Sequence, residues 1–364
     1  MIAISIHGFA IARKDENIVT SVLPPFATTN IGSVPHLDAT SVTQQLINNL
    51  DIPSWPQLPR KTFRENMYTQ FSASLPALVL DETKEKIHFN TGDDLAQVIT
   101  PFYERVIEND FDFFALPENY ASGMYALMKL LEGSSEGWVK GQVTGPISFG
   151  LTVTDQDRRA SLYNEHLADV IVKNTVMGAR WQIRTLKTLR PNVILFVDEP
   201  YMASFGSAFI SLGREQVIRM LDEVFLAIHE QGALAGIHCC ANTDWSVLLA
   251  TQVDILNLDA FGYLNNLALY PEELDTFLRR GGRIAWGMIP NDELINTSTV
   301  AQLAAELRSG IDQIIQRASQ RDIQLPPNLD QISLLTASCG LGSTSVEIAE
   351  QVMDTLYATA LELR

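Results

Sequence analysis

The sequence predicts an α/β protein that folds as a single (β/α)8 TIM barrel with an elaborated amino-terminal part. Short apolar runs alternate with amphipathic segments, and several of these runs end in polar or glycine-bearing residues. Alternating strands and helices form either a barrel or a doubly wound sheet. Polar residues at strand carboxyl ends favour the barrel, because barrel enzymes place their chemistry on that face. A doubly wound sheet remains the alternative, although no Gly-x-Gly-x-x-Gly turn follows an apolar run.

The 364 residues suit one such domain, spanning 1–364, in two parts of different regularity. Residues 1–135 are irregular and rich in prolines, with a hairpin predicted near 78–90. The apolar stretch 1–12 predicts a strand or an extension rather than a signal peptide, because no basic residues precede it. Residues 136–364 carry regular strand–helix repeats. The predicted strands are 138–143, 193–197, 233–237, 255–258, 283–287 and 332–335, and the clearest amphipathic helices are 213–231 and 298–318.

The charge balance bears on the partners of the chain. Its 43 acidic and 26 basic residues give a net charge of -17. Such acidity argues against nucleic acid or an anionic membrane as a partner. No apolar run reaches the roughly eighteen residues that a membrane helix requires. We therefore expect a cytoplasmic protein whose thiols stay reduced.

The cysteines predict a metal site. All three lie in two segments, 237–242 and 338–343. His238 and Cys240 are two residues apart, so on an extended strand their side chains leave the backbone on the same side. An imidazole and two thiolates, with Cys339 as the third member, form a ligand set typical of zinc. Three protein ligands leave a fourth position for a substrate, which is the arrangement of a catalytic zinc.

Two other interpretations of the cysteines stay open from spacing alone. A free cysteine is often a small buried apolar residue with no chemical role. A disulfide is less favoured, because adjacent cysteines such as Cys239 and Cys240 rarely bridge and the total of three is odd.

Four segments occur in an order that resembles a known family. They are 29–35, 197–200, 237–240 and 338–341, with the sequences TNIGSVP, VDEP, IHCC and SCGL. Together they resemble the catalytic, carboxy-terminal barrel of cobalamin-independent methionine synthase, in the superfamily that includes uroporphyrinogen decarboxylase and methylcobamide:thiol methyltransferases. The resemblance covers nearly the whole chain. It implies a zinc-dependent methyltransferase that methylates the thiol of L-homocysteine to give methionine.

The resemblance also implies a role for individual residues. His238, Cys240 and Cys339 match the zinc ligands of the family, and Asp259 stands where the family has a glutamate as a further ligand. Aspartate is one methylene shorter, so Asp259 could bind zinc directly, through water, or support another ligand. The alternative for Asp259 is a carboxylate that caps the next helix.

Three further residues match the substrate site of the family, and a fourth is the nearest available counterpart. Ile31 and Ser33 stand where homocysteine is held, and Asp198 matches the acidic residue that binds its amino group. A turn that ends the strand is the alternative interpretation of Asp198. Glu65 is the nearest counterpart of a second carboxylate for the amino group.

The methyl donor and the acceptor each have alternatives. A single barrel resembles the short, core-type methionine synthases, which implies methylcobalamin or a methylated corrinoid protein as donor rather than a folate. One rival is a methylcobamide:coenzyme M methyltransferase, which Asp198 disfavours because coenzyme M has no ammonium group. A second is a metal-free lyase like uroporphyrinogen decarboxylase, which needs basic groups that are scarce near these strand ends. A third is a non-catalytic zinc- or corrinoid-binding accessory protein.

Overall fold

The computed structural model describes residues 23–92, 94–207 and 210–364. The stretch 1–12, for which the sequence predicts a strand or an extension, lies outside these ranges. The strands of the described chain are β1 Ala27–Thr28, β2 Leu78–Asp81, β3 Lys86–Phe89, β4 Trp138–Thr144, β5 Asn192–Asp198, β6 Leu234–Cys239, β7 Ile255–Leu258, β8 Arg283–Ile289 and β9 Leu334–Ala337. The helices are α1 Ala39–Asn49, α2 Leu95–Ile107, α3 Ser122–Leu130, α4 Pro146–Thr152, α5 Glu165–Lys187, α6 Arg214–Glu230, α7 Trp245–Leu249, α8 Ala260–Leu267, α9 Pro271–Arg279, α10 Val300–Ser319 and α11 Val346–Leu363.

Seven strands form one parallel sheet in the order β1-β9-β8-β7-β6-β5-β4. Each strand from β4 to β9 lies beside the next one along the chain, and helices make the connections. This arrangement is a parallel half-barrel, and it confirms the α/β class and the six strands predicted after residue 135. The helices predicted at 213–231 and 298–318 are α6 and α10, and the predicted hairpin is the antiparallel pair β2 and β3.

The eight-stranded barrel is not confirmed, because an irregular segment lies between the two edge strands. The backbone N–H of Ile52 donates to the carbonyl of Thr28 on β1 (3.0 Å). On the other side, the N–H of Lys140 on β4 donates to the carbonyl of Pro53 (2.9 Å), and Ser54 forms an isolated parallel bridge with Lys140. Proline lacks an N–H group and cannot extend a ladder on that side. The segment 52–54 therefore contacts both edges without forming a strand.

The two faces of the sheet differ in what they contact. One face packs against the helices in the main apolar core. The other face carries a separate apolar cluster of Ala27, Ile52, Ile194, Phe196, Ile255, Ala285 and Leu334. Gly236 belongs to this second face, where a Cβ atom would lie 2.1 Å from the Phe196 ring. Nearer the carboxyl ends of the strands, the same face becomes polar and carries Asp198, His238, Asn257 and Thr336, all buried. This polar end positions the candidate site.

Polar side chains cap the amino-terminal ends of two long helices. The side chain of Asn164 caps α5, and Thr299 forms a capping box with Gln302 at the start of α10. No helix in the described ranges is both long enough and apolar enough to cross a bilayer.

Candidate metal centre

Three potential metal ligands converge at the carboxyl end of the sheet. His238 lies in β6, Cys240 directly follows that strand, and Cys339 follows β9. Their ligand atoms all lie within 4.8 Å of one another. The Cys239 side chain lies on the opposite face of β6, in the main apolar core between the sheet and the helices. Its thiol donates a hydrogen bond to the carbonyl of Ala241 (3.4 Å). The alternation of side chains along β6 thus separates the cysteine of the cluster from the cysteine of the core.

The donor atoms of this cluster fit a zinc ion. The Nδ1 atom of His238 lies 2.5 Å from Oδ1 of Asn257, whereas its Nε2 atom is buried and makes no hydrogen bond within the described chain. A buried nitrogen without a partner is costly, and a metal ion would satisfy it. One imidazole nitrogen and two sulfurs are ligands that zinc prefers.

The charges of the cluster also suit a cation. The Cys339 thiol donates a hydrogen bond to the Cys240 sulfur, and this contact, aided by His238, lowers the pKa of Cys240 to about 4 despite burial. The same contact, together with burial, raises the pKa of Cys339. Burial lowers the pKa of His238, but the adjacent Cys240 thiolate outweighs it and raises that pKa. The lowered pKa favours the thiolate form of Cys240, which is the form that ligates a metal.

Asp259 lies outside this three-residue cluster. It precedes α8, and its Oδ1 atom accepts a hydrogen bond from the N–H of Gly262 (2.8 Å), as in the helix-cap interpretation. Burial raises the pKa of Asp259, and the charge on Cys240 raises it further. The carboxylate thus lies within the electrostatic reach of the cluster, while its part as a zinc ligand stays a prediction.

Asp198 is a buried carboxylate at the end of β5. It is 6% exposed, and its register partner on the neighbouring strand is His238. Its Oδ1 atom has no hydrogen-bond partner among the residues that the structure describes. Burial raises the pKa of Asp198 to about 6, although the charges on His238 and Lys140 lower it. A buried carboxylate oxygen without a partner is suited to accept hydrogen bonds from an ammonium group.

The segment that contains Ile31 and Ser33 lies against the loop that carries Cys339. The N–H of Leu341 donates to the Ser33 carbonyl (2.8 Å), and the N–H of Gly342 donates to the Ser33 hydroxyl (3.3 Å). A Cβ atom on Gly340 would lie 2.3 Å from that hydroxyl, so a side chain at this position would displace the Ser33 hydroxyl. The structure therefore brings Ser33 and the Cys339 loop together, although about 300 residues separate them in sequence.

Glu65 is occupied by contacts within the protein. It is 1% exposed and accepts hydrogen bonds from the N–H of Leu58 (3.1 Å) and from the hydroxyl (2.5 Å) and N–H (3.3 Å) of Ser122. Burial raises the pKa of Glu65, while these donors lower it. Its hydrogen bonds join the segment around Leu58 to α3, and none in the described chain links it to the cysteines, His238 or Asp198.

The sequence interpretation missed two buried polar residues of this region, Lys140 and Asn257. Both are fully buried, Lys140 within β4 and Asn257 within β7. Burial lowers the pKa of Lys140 to about 8, although Asp198 raises it. The available signal was a polar residue inside an otherwise apolar strand, because such a residue is buried only when it has partners.

Comparison with known proteins gives a likeness of fold. No family model and no curated protein matches this chain. A B12-independent methionine synthase from Shewanella sp. W3-18-1, solved in complex with selenomethionine, is 15% identical with a TM-score of 0.52, over 93% of this chain and 98% of that one. A putative vitamin-B12 independent methionine synthase from Listeria monocytogenes is 14% identical with a TM-score of 0.55, over 95% of this chain and 99% of that one. At this identity the likeness shows that the chain shares the α/β fold of methionine synthase-like proteins.

Proposed function

We propose that this chain is a zinc-dependent methyltransferase, a single barrel domain acting in the cytoplasm, that methylates the thiol of L-homocysteine to give methionine. The methyl donor would be methylcobalamin or a methylated corrinoid protein. The observation that carries the proposal is the convergence of His238, Cys240 and Cys339 beside Asp198, whose Oδ1 atom has no hydrogen-bond partner among the described residues. The fold shared with methionine synthase-like proteins supports the reaction class.

The chemistry requires an activated thiol. A thiol with a pKa of about 8.5 is mostly protonated at neutral pH and is then a weak nucleophile. Zinc held by His238, Cys240 and Cys339 would favour the thiolate form of the incoming thiol. The thiol proton passes to solvent, the sulfur–carbon bond forms, and the cobalt–carbon bond breaks with its electron pair left on cobalt.

The residues around the cluster would orient the acceptor. Asp198 would pair with the ammonium group of homocysteine through the Oδ1 atom that has no partner among the described residues. Ser33 would face the carboxylate with its hydroxyl and backbone, next to the Cys339 loop. Asp259 would act as a further zinc ligand or as a support to one, and Glu65 would act from a greater distance through the packing of α3.

A methyltransferase acting on coenzyme M is the second candidate. It uses the same chemistry with an acceptor that carries a sulfonate and no ammonium. The buried carboxylate of Asp198, whose Oδ1 atom has no hydrogen-bond partner among the described residues, favours homocysteine, because an anion there would repel a sulfonate. A non-catalytic accessory protein would bind zinc or the corrinoid without turnover.

The test is a methyl-transfer assay with zinc-loaded protein, following the loss of methyl–cobalt absorbance. L-homocysteine and coenzyme M serve as separate acceptors, and methyl-tetrahydrofolate as the alternative donor. We expect demethylation that depends on homocysteine, that Cys339→Ser abolishes and that Cys239→Ser leaves in place. Activity with coenzyme M alone would assign the chain to the rival class. No turnover with either acceptor, with free methylcobalamin or with a methylated corrinoid protein, would contradict the proposal.

A further inference from the structure

Asn257 makes hydrogen bonds that fix the orientation of its side-chain amide. Its Nδ2 atom donates to the carbonyl of Ala285 on β8 (2.8 Å) and to the hydroxyl oxygen of Thr336 on β9 (2.9 Å). The Thr336 hydroxyl donates its own hydrogen to the carbonyl of Ala337 (2.8 Å), so it can only accept from Asn257. Two acceptors on one side of the amide require the NH2 group there. The oxygen Oδ1 therefore faces His238.

This orientation determines which nitrogen of His238 carries a proton. Oδ1 of Asn257 accepts hydrogen bonds only, and it lies 2.5 Å from Nδ1 of His238. Nδ1 is consequently the protonated nitrogen that donates. The lone pair for a metal is then on Nε2, the buried ring nitrogen that makes no hydrogen bond within the described ranges. The amide thus sets both the tautomer and the orientation of the imidazole.

We propose that Asn257 is a positioning residue of the metal centre, which acts through His238 and holds Nε2 ready to bind the metal. The proposal rests on the metal centre of the proposed function and adds to it a residue outside the ligand set. Partners of this kind orient the ligand to which they bond, and their loss commonly weakens metal binding.

The hydrogen bonds of Asn257 also connect the strand that carries His238 with the strand that leads to Cys339. Its bonds run from β6, which carries His238, across β8 to Thr336 and Ala337 on β9, which leads to Cys339. All of these groups are buried, and Asn257 and Thr336 are 0% exposed. A neutral amide adds no charge to a centre that already has two thiol ligands, whereas a carboxylate would make that centre more negative. The Asn257 amide can therefore orient His238 without changing the charge of the site.

The test measures zinc affinity by competition with a chelator and the absorption spectrum of the Co²⁺-loaded protein. Asn257→Leu has the same branching of side-chain heavy atoms but cannot accept from Nδ1, so we expect zinc affinity to fall by about 10- to 100-fold and the Co²⁺ bands to shift. The matched control is Thr336→Val, which removes a hydrogen bond of the same network while Ala285 still holds the amide. We expect its zinc affinity and Co²⁺ spectrum to stay close to those of the wild type.

The outcomes separate the role of Asn257 from the existence of the metal centre. Equal weakening by both variants, or no weakening by Asn257→Leu, would overturn the positioning role. If Asn257→Leu does not fold, Asn257→Ala removes the same acceptor with a smaller side chain; weakened zinc binding in folded protein would support the proposal and unchanged binding would overturn it. A wild-type chain that binds no zinc would instead contradict the metal centre itself.

Discussion

The ammonium group of Lys140 donates a 2.7 Å hydrogen bond to the backbone carbonyl of Ile31. This bond joins β4 to the segment that we propose binds the acceptor. Lys140 is fully buried, its Nζ atom lies 4.5 Å from the centre of the Phe196 ring, and Gln142 accepts a second bond of 3.3 Å. A lysine is rarely buried to this extent unless several groups satisfy its charge. Lys140 thus holds the Ile31 backbone through this hydrogen bond and places a positive charge near Asp198.

Lys140→Met is expected to weaken acceptor binding without removing zinc. The change leaves the Ile31 carbonyl without its donor and removes a charge that lowers the pKa of Asp198. We expect a higher KM for homocysteine at pH 7 and an unchanged zinc content. Lys187→Met makes the same substitution on α5, outside the residues of the proposed site, and should leave KM unchanged. An unaltered KM in Lys140→Met would show that the bond to Ile31 has no part in binding.

The affinity for homocysteine should depend on pH through Asp198. Only the ionised carboxylate pairs with an ammonium group, and burial raises the pKa of Asp198 to about 6. As pH falls through that value the carboxylate becomes protonated, so affinity should fall by up to about tenfold per pH unit below it. The measurement is KM against pH, with zinc content determined at each point.

The control for this dependence is an acceptor without an amino group. With 4-mercaptobutanoate we expect no inflection near pH 6, since Asp198 has no ammonium to bind. Asp198→Asn should abolish the preference for homocysteine over this analogue. Retention of that preference by the variant would argue that another group recognises the amine.

Gly123 should be required for the packing of α3 against the segment that contains Pro56. A Cβ atom at this position would lie 1.9 Å from the carbonyl oxygen of Pro56, which is backbone and cannot easily move. We expect Gly123→Ala to lower the free energy of unfolding by about 1–3 kcal/mol, measured by denaturant titration. Gly178 on α5 is the control, because its added Cβ would meet no atom within 4 Å and alanine favours a helix. Gly178→Ala should raise stability by about 0.5–1 kcal/mol; equal effects would contradict the packing argument.

The regular half of the fold could be predicted because its strands are buried on both faces. Such strands appear in the sequence as continuous apolar runs, and the polar residues after them mark the carboxyl ends. The spacing of His238 and Cys240 predicts a shared face for the same geometric reason. The amino-terminal part gives a weaker signal, since β1 has two residues and the segment beside it contains Pro53.

The partners of individual polar residues could not be predicted, because they depend on contacts between distant segments. Glu65 bonds to Ser122, which is 57 residues away, so its sequence neighbours do not reveal that the carboxylate is occupied. Lys140 bonds to a carbonyl 109 residues away. Asp259 shows the opposite case, because the helix cap that it forms is local and was one of the two interpretations that the sequence left open.

The zinc content of the purified chain tests the central claim most directly. Wild-type protein, Cys239→Ser, Cys240→Ser and Cys339→Ser are loaded with zinc, dialysed, and assayed by elemental analysis. Because Cys240 and Cys339 belong to the cluster and Cys239 faces the apolar core, we expect one zinc ion per chain in the wild type and in Cys239→Ser, and its loss in the other two variants. A wild-type chain without zinc, or an equal loss in Cys239→Ser, would contradict the account.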